Sequence, residues 1–195
     1  NGDRFIDEGE TWRGLTYAKT GKAILEQENN MAFQLFDSKH IQAGVLKNYK
    51  KPTKYSAETL VDLANQIKIK DKKNFINNIN KFNKAVQPGN YNPHKLDGKN
   101  IKNIYPLRSN WALPLNNPPY LAYPVICGMT FCYGGLKTTI NGELINKNGD
   151  IIKGLYAVGE MIGGLWYNNY PSGGGMMAGA VFGKRAGKKA SENTN

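Results

Sequence analysis

Gly154-Leu155-Tyr156-Ala157-Val158-Gly159-Glu160, then Gly163-Gly164, then Pro171-Ser172-Gly173-Gly174-Gly175-Met176, is the stretch on which the fold turns. Leu155 to Val158 is a short apolar run between glycines, which predicts a buried strand. The second glycine cluster opens a helix that runs through Met176, Ala180 and Phe182 to about Lys189. The first amides of a helix have no partner within it and the dipole adds positive potential, so such a start favours an anion or a reduced cofactor. Glycines let a flat ligand lie against the backbone, and Glu160 at the carboxyl end of the strand is placed to accept hydrogen bonds from a polyol. Glycine clusters before helices also serve close packing alone. Gly179, Ala180, Gly183 and Gly187 predict such an approach along this helix.

Gly173 to Ala178 fits the form G-x-G-x-x-A of a dinucleotide fingerprint, but the context is wrong. That motif follows its strand directly and opens a βαβ unit, whereas here roughly a dozen residues intervene. A nicotinamide-type site is therefore disfavoured.

Upstream, Thr16 to Gln27 has loose helical spacing that Gly21 weakens, and Met31 to Asp37 reads as a strand ending at a turn. Ser56 is placed to cap a helix with Leu60, Leu63, Ala64 and Ile67 on one face. Asp71 is placed to cap another with Phe75, Ile79, Phe82 and Val86, ended by Pro88-Gly89. Residues 88 to 120 are rich in Pro, Asn and Gly and predict a long irregular connection. Leu121 to Ile126 reads as a strand, followed by Gly128 to Gly135 and Lys137 to Ile140. Asn141-Gly142 signals a hairpin and Asn148-Gly149-Asp150 a second turn.

With 195 residues and 40% hydrophobic content, the chain can bury a core. No apolar run approaches the roughly 18 residues of a membrane helix. The opening Asn1-Gly2-Asp3 carries no initiator Met or signal-like region, which suggests a start inside something longer. Cys127 and Cys132 stand in an apolar stretch and read as reduced core residues. His40 and His94, isolated in polar surroundings, read as surface histidines, and no metal-ligand spacing exists. The net charge of +11 comes from lysines spread along the chain, without the aromatic interleaving that single strands stack on, so nucleic acid is disfavoured as a partner.

The Gly154 to Glu160 segment, Gly163-Gly164 and Val181-Phe182-Gly183-Lys184-Arg185-Ala186-Gly187 together resemble the carboxyl-terminal part of the fumarate reductase/succinate dehydrogenase flavoprotein family. Asp3-Arg4-Phe5-Ile6-Asp7-Glu8 and Gly128 to Gly135 extend the resemblance over most of the chain. Ser109-Asn110-Trp111-Ala112, Thr130-Phe131 and Asn169-Tyr170-Pro171 look closest to the tricarballylate dehydrogenase-like branch.

The resemblance implies FAD as cofactor and an α+β capping domain over residues 1–128. The carboxyl-terminal part of an α/β, Rossmann-like FAD-binding domain would follow over 129–195, with the active site between the two. The FAD-binding amino-terminal half would be a missing partner, alongside an electron carrier that the sequence does not identify. Glu160 matches the carboxylate that binds ribityl or nearby hydroxyls; Gly174, Gly175 and Met176 match the helix start facing the flavin, and Phe131 a flavin-side position. The reaction implied is hydrogen transfer across a carbon–carbon bond of a small unsaturated or saturated carboxylate, with hydride through flavin and a proton through a cap arginine, here Arg13.

Two departures bear on the substrate. A His-His-Thr-Met-Gly-Gly segment is replaced by Thr130-Phe131-Cys132-Tyr133-Gly134-Gly135, and Tyr170 stands where fumarate reductases carry an arginine. Fumarate is thereby disfavoured. Tyr170-Pro171-Ser172-Gly173-Gly174 is similar to the Tyr-Pro-x-x-Gly of ketosteroid dehydrogenases, in which tyrosine polarises a carbonyl. Tyr170 and Arg13 are thus the catalytic candidates, and Thr130 and Gly173 the substrate-binding ones. The alternatives are an enone-directed FAD dehydrogenase and a non-catalytic fragment or binding module with a basic surface.

Overall fold

The structure, a computed structural model, describes residues 1–47, 54–130, 132–167 and 169–193. The chain divides into two compact units, Asn1–Cys127 and Gly128–Asn195.

The first unit is α+β. Helix α1 (Arg13–Leu25) leads into strand β1 (Met31–Phe36) and the short α2 (Ser38–Gln42); β2 (Tyr55–Ala57), α3 (Leu60–Gln66), α4 (Lys72–Ala85) and β3 (Tyr120–Ile126) follow. The strands form an antiparallel sheet in the order β1-β3-β2, with Met31 opposite Ile126, Phe36 opposite Leu121 and Tyr55 opposite Ala122. Because β2 pairs only with Tyr120 to Ala122, Pro124 in the central strand has one neighbour, where its missing donor costs least. Leu63, Ala64 and Ile67 of α3 and Phe75 and Ile79 of α4 form a core with Ala57 and Ala122. Farther along α4, Phe82 and Ala85 bury against Ile101 and Ala112 in the irregular connection.

Asp71 caps α4 as its sequence predicts, accepting from the Asn74 amide at 2.8 Å. The cap of α3 is Thr59, not Ser56: pairing with β3 claims Ser56 for β2, so the helix starts later and the Thr59 hydroxyl accepts from the Asp62 amide at 3.1 Å. Gly21 does not interrupt α1. A Cβ there would lie 3.0 Å from Cys127 Sγ, so glycine makes room for a neighbour.

Three surface and core expectations are corrected. His40 is buried, because α2 begins with a capping box in which Asp37 and His40 serve each other's end of the turn. Cys127 is half-buried and Cys132 exposed, both as free thiols, since β3 ends at Ile126 and neither cysteine lies in a strand.

In the second unit, β4 (Glu143–Ile145) and β5 (Ile151–Tyr156) form an antiparallel hairpin, followed by a 3-10 turn (Gly159–Met161) and the long α5 (Gly174–Glu192). Asn141-Gly142 makes the predicted turn, with Gly142 at φ 77° donating to Thr139 O at 3.0 Å. The buried strand expected at Leu155 to Val158 is corrected. The strand ends at Tyr156, and Ile151, Ile152 and Leu155 are exposed, because among the described residues β5 pairs only with β4 and a two-stranded hairpin covers neither of its own faces. Gly183 and Gly187 have nothing within 4 Å of where a Cβ would stand, whereas a Cβ on Gly179 would lie 3.9 Å from Gly159 Cα, and the tightest approach to α5 is made by Gly142, whose Cβ would lie 2.8 Å from that of Ala186. Arg185 fastens the same turn through Ile140 O at 2.7 Å. Among the described residues no helix is long and apolar enough to cross a membrane.

Candidate functional site

In the second unit, two glycine pairs that are far apart in sequence lie side by side. Leu136 N donates to Met161 O at 2.8 Å and Gly163 N to Leu136 O at 3.0 Å, a parallel bridge between Leu136 and Ile162. A Cβ on Gly135 would lie 2.5 Å from Met161 O, and one on Gly163 would lie 2.5 Å from Gly135 N. Real side chains do not approach backbone so closely, so both positions require glycine for chain packing. Sequence reading found both Gly pairs without finding that they meet; a shared need for glycine leaves no periodicity that would reveal the pairing.

This bridge sets Glu160 between two segments. Its Oε1 accepts from the Cys132 amide at 2.7 Å, and its Oε2 is 3.5 Å from where a Cβ on Gly175 would stand. The exposed carboxylate thus holds the 132–135 segment on one side and faces the start of α5 on the other. It retains acceptor capacity for a ligand hydroxyl, since an ionised carboxylate offers about four lone-pair sites.

Gly173, at φ 82°, is the residue before α5, exposed and with nothing near its missing side chain. The α5 amides are less free than their sequence predicts. Gly174 N donates to Pro171 O at 2.9 Å, and Gly175 N donates to the Tyr170 hydroxyl. The Met176 amide takes no such partner among the described residues. The glycines also have neighbours that account for them: a Cβ on Gly174 would lie 2.8 Å from Trp166 Cη2, and one on Gly175 would lie 2.5 Å from the Tyr170 oxygen. Tyr170 itself is buried, with Trp166 edge-on to it at a ring-centroid distance of 5.3 Å. Trp166 was not singled out by sequence reading, because a lone tryptophan in a loop carries no spacing signal.

The structure therefore brings together Glu160, Tyr170, Gly174, Gly175 and Met176, with Gly173 beside them. Thr130 is an exposed residue of the same unit, and Phe131 lies outside the described residues. Arg13 belongs to the first unit, as the first residue of α1. Trp12 precedes it without a side-chain cap, and the first turn holds no acid, so a guanidinium and an uncapped helix start offer positive charge at one place.

Two segments that carry the family resemblance are tied together around that start. Asp7 accepts from the Ser109 amide at 3.1 Å, Asn110 donates to Gly9 O at 2.8 Å, and the Trp12 and Trp111 rings meet tilted at 52° with centroids 5.3 Å apart. Arg4 donates to Pro106 O at 2.7 Å and pairs with Glu8. Arg108 is taken up in the same network, donating to Asn110 O and Trp111 O, both at 3.2 Å, and lying 3.5 Å from Glu8. Among the described residues no group of His, Cys, Asp or Glu is arranged to hold a metal ion.

The exposed Glu160 carboxylate, open Gly173 and Met176 amide together offer an acceptor, space and a donor to a polyol-bearing, electron-rich ligand. The family model of an FAD binding domain matches residues 1–176. The chain is 27% identical over 192 residues to the NADH:acrylate oxidoreductase of Vibrio harveyi, covering 97% of this chain and 16% of that protein. It is 28% identical over 198 residues to the fumarate reductase (cytochrome) of Shewanella frigidimarina, covering 98% of this chain and 31% of that protein. In fold it is similar to the 3-ketosteroid delta1-dehydrogenase of Sterolibacterium denitrificans, with a TM-score of 0.73 at 23% identity over 98% of this chain and 37% of that one. The chain thus spans a third or less of these two curated relatives. With residues 1–176 matched by the FAD binding domain and relatives named as fumarate reductases aligned over nearly all of it, the chain belongs to the fumarate reductase/succinate dehydrogenase flavoprotein family.

Proposed function

We propose that the chain is the substrate-capping and carboxyl-terminal flavin-binding part of an FAD-dependent oxidoreductase acting on a carbon–carbon bond of a small organic acid. The observation that carries this reading is the convergence of Glu160, Tyr170 and the α5 start in one unit, within a chain of this flavoprotein family. Residues 1–128 act as the cap and 129–195 complete the FAD-binding domain. The amino-terminal FAD-binding half covers the exposed apolar residues Ile151, Leu155 and Met177. Ser109 to Ala112, Thr130-Phe131 and Asn169 to Pro171 favour the tricarballylate dehydrogenase-like branch by resemblance.

Bound FAD supplies the hydride acceptor or donor. Glu160 holds a flavin hydroxyl while keeping the 132–135 segment in place, and the Met176 amide, with the positive end of α5, stabilises negative charge on the ring. Tyr170 accepts from the Gly175 amide, which polarises its O–H and strengthens it as a donor to a substrate oxygen. Thr130 and Gly173 orient the substrate. Arg13 moves the proton at the neighbouring carbon: in reduction, hydride would add to one carbon of the C=C bond, and the π pair would form the C–H bond at the other with a proton from an Arg13 N–H; oxidation would run each change in reverse. Arg108, being held by two carbonyls and Glu8, supports the 108–112 segment.

The burial of Tyr170 against α5 favours a second reading, an enone-directed dehydrogenase in which this hydroxyl, not an arginine, governs the substrate. The FAD-loaded, full-length protein is assayed with reduced methyl viologen as donor and either acrylate or cyclohex-2-enone as acceptor. For an organic acid, Arg13→Lys abolishes acrylate turnover and Tyr170→Phe lowers it on the order of tenfold. Dominance of the Tyr170→Phe effect, with turnover of the enone and an indifferent Arg13→Lys, selects the second reading. Indifference of both acceptors to both variants contradicts the two together.

A further inference from the structure

Trp166 lies in the loop between the 3-10 turn and α5, half-buried, and no step of the proposed chemistry uses it. Its indole meets two things at once. One edge reaches the first residue of α5, as the 2.8 Å and 2.9 Å separations of Cη2 and Cζ2 from a Cβ position on Gly174 show. Its ring also stands at 72° to that of Tyr170, in the edge-on arrangement that aromatic pairs favour. The tryptophan fills the volume that Gly174 leaves empty and closes one side of the Tyr170 ring. The Tyr170 hydroxyl abuts Gly175, which has no side chain to displace it, and accepts from the Gly175 amide. The ring thus meets Trp166 and the hydroxyl meets Gly175, two contacts that depend on consecutive glycines.

We propose that Trp166 is a positioning residue that sets where the Tyr170 hydroxyl stands at the start of α5, and so where its donated proton is presented to a substrate oxygen. The consequence for turnover rests on the role proposed above for Tyr170; the holding of the ring does not. An indole removed from this place leaves a gap beside a two-torsion side chain, which then samples orientations in which the hydroxyl leaves Gly175. Phenylalanine would keep an aromatic edge against Tyr170, and leucine or methionine would not.

The test uses FAD-loaded, full-length protein with 3-fluorotyrosine incorporated at position 170. Its fluorine resonance is compared in light and heavy water, which reads solvent access to the ring directly. In the parent protein and in Trp166→Phe, the same small solvent-dependent shift is expected; in Trp166→Leu the resonance moves and its solvent dependence grows. Should Trp166→Leu fail to retain flavin, Trp166→Met is read in the same way. An unchanged resonance in the flavin-retaining aliphatic variant overturns the proposal. With whichever of acrylate and cyclohex-2-enone is the better acceptor, the aliphatic variant is expected to lower kcat on the order of tenfold to a hundredfold with little change in KM. Added to Tyr170→Phe, it lowers kcat no further. Losses that multiply in the double variant refute positioning through Tyr170. A Tyr170→Phe protein with parental turnover refutes the role assigned to that tyrosine, while the fluorine resonance still decides whether Trp166 holds it.

Discussion

Asp37 shows how a single residue can look ordinary in sequence and be fully enclosed in the fold. Burial alone would push its carboxyl up, but His40 at 2.9 Å, the neighbouring Lys39 ammonium and the Asn117 amide at 3.1 Å outweigh burial, and the group is held below the usual carboxylate range. A carboxyl depressed on folding contributes stability that is present above its unfolded value of about 4 and is lost as pH falls toward the folded one. The melting temperature of the parent should therefore fall progressively as pH drops below about 5, and the fall should continue through the acid range below the unfolded value. Asp37→Asn should flatten that dependence and cost roughly 2 to 3 kcal/mol at neutral pH. A parent and variant with parallel profiles would remove Asp37 from the acid response. The sequence placed His40 on the surface because the pattern of neighbours is polar; the capping box that buries it depends on Asn116 and Asn117, about eighty residues away.

At the scale of elements, periodicity carried the first unit well. Asp71, Phe75, Ile79 and Phe82 lie where their spacing puts them, as does the strand from Leu121 to Ile126. Local pattern failed where a distant partner decides: Ser56 was taken by β3, and Gly21 serves Cys127. The site was legible as a strand, glycine loop and helix, yet the use of the Gly174 and Gly175 amides within the chain was not, since it depends on Pro171 and Tyr170 folding back. Two substitutions separate glycines that packing requires from glycines that it does not. Gly163→Ala should destabilise the second unit by about 1 to 3 kcal/mol, because its methyl group meets backbone that cannot yield. Gly187→Ala lies in the open part of α5 and should stabilise that helix by roughly 0.5 to 1 kcal/mol. Urea titration of each variant of the 195-residue chain checks both; a stable Gly163→Ala would mean that the 134–136 and 161–163 segments are not joined as described. A destabilised Gly187→Ala would mean that α5 has a further neighbour in solution.

For the whole molecule, the exposed hairpin and the exposed face of α5 belong with the proposal that an FAD-binding half completes the second unit. Family membership was readable in Gly154 to Glu160 and the later glycines, whereas the substrate was not, because the roles proposed for Arg13 and Tyr170 favour different oxygen-bearing groups. The most direct test is the visible absorption spectrum of the full-length protein as purified, followed by mass spectrometry of the released cofactor. A flavin spectrum and a released mass equal to FAD are expected, and Glu160→Ala should weaken retention of that FAD. A full-length protein that is colourless as purified and stays colourless when mixed with FAD would contradict the assignment.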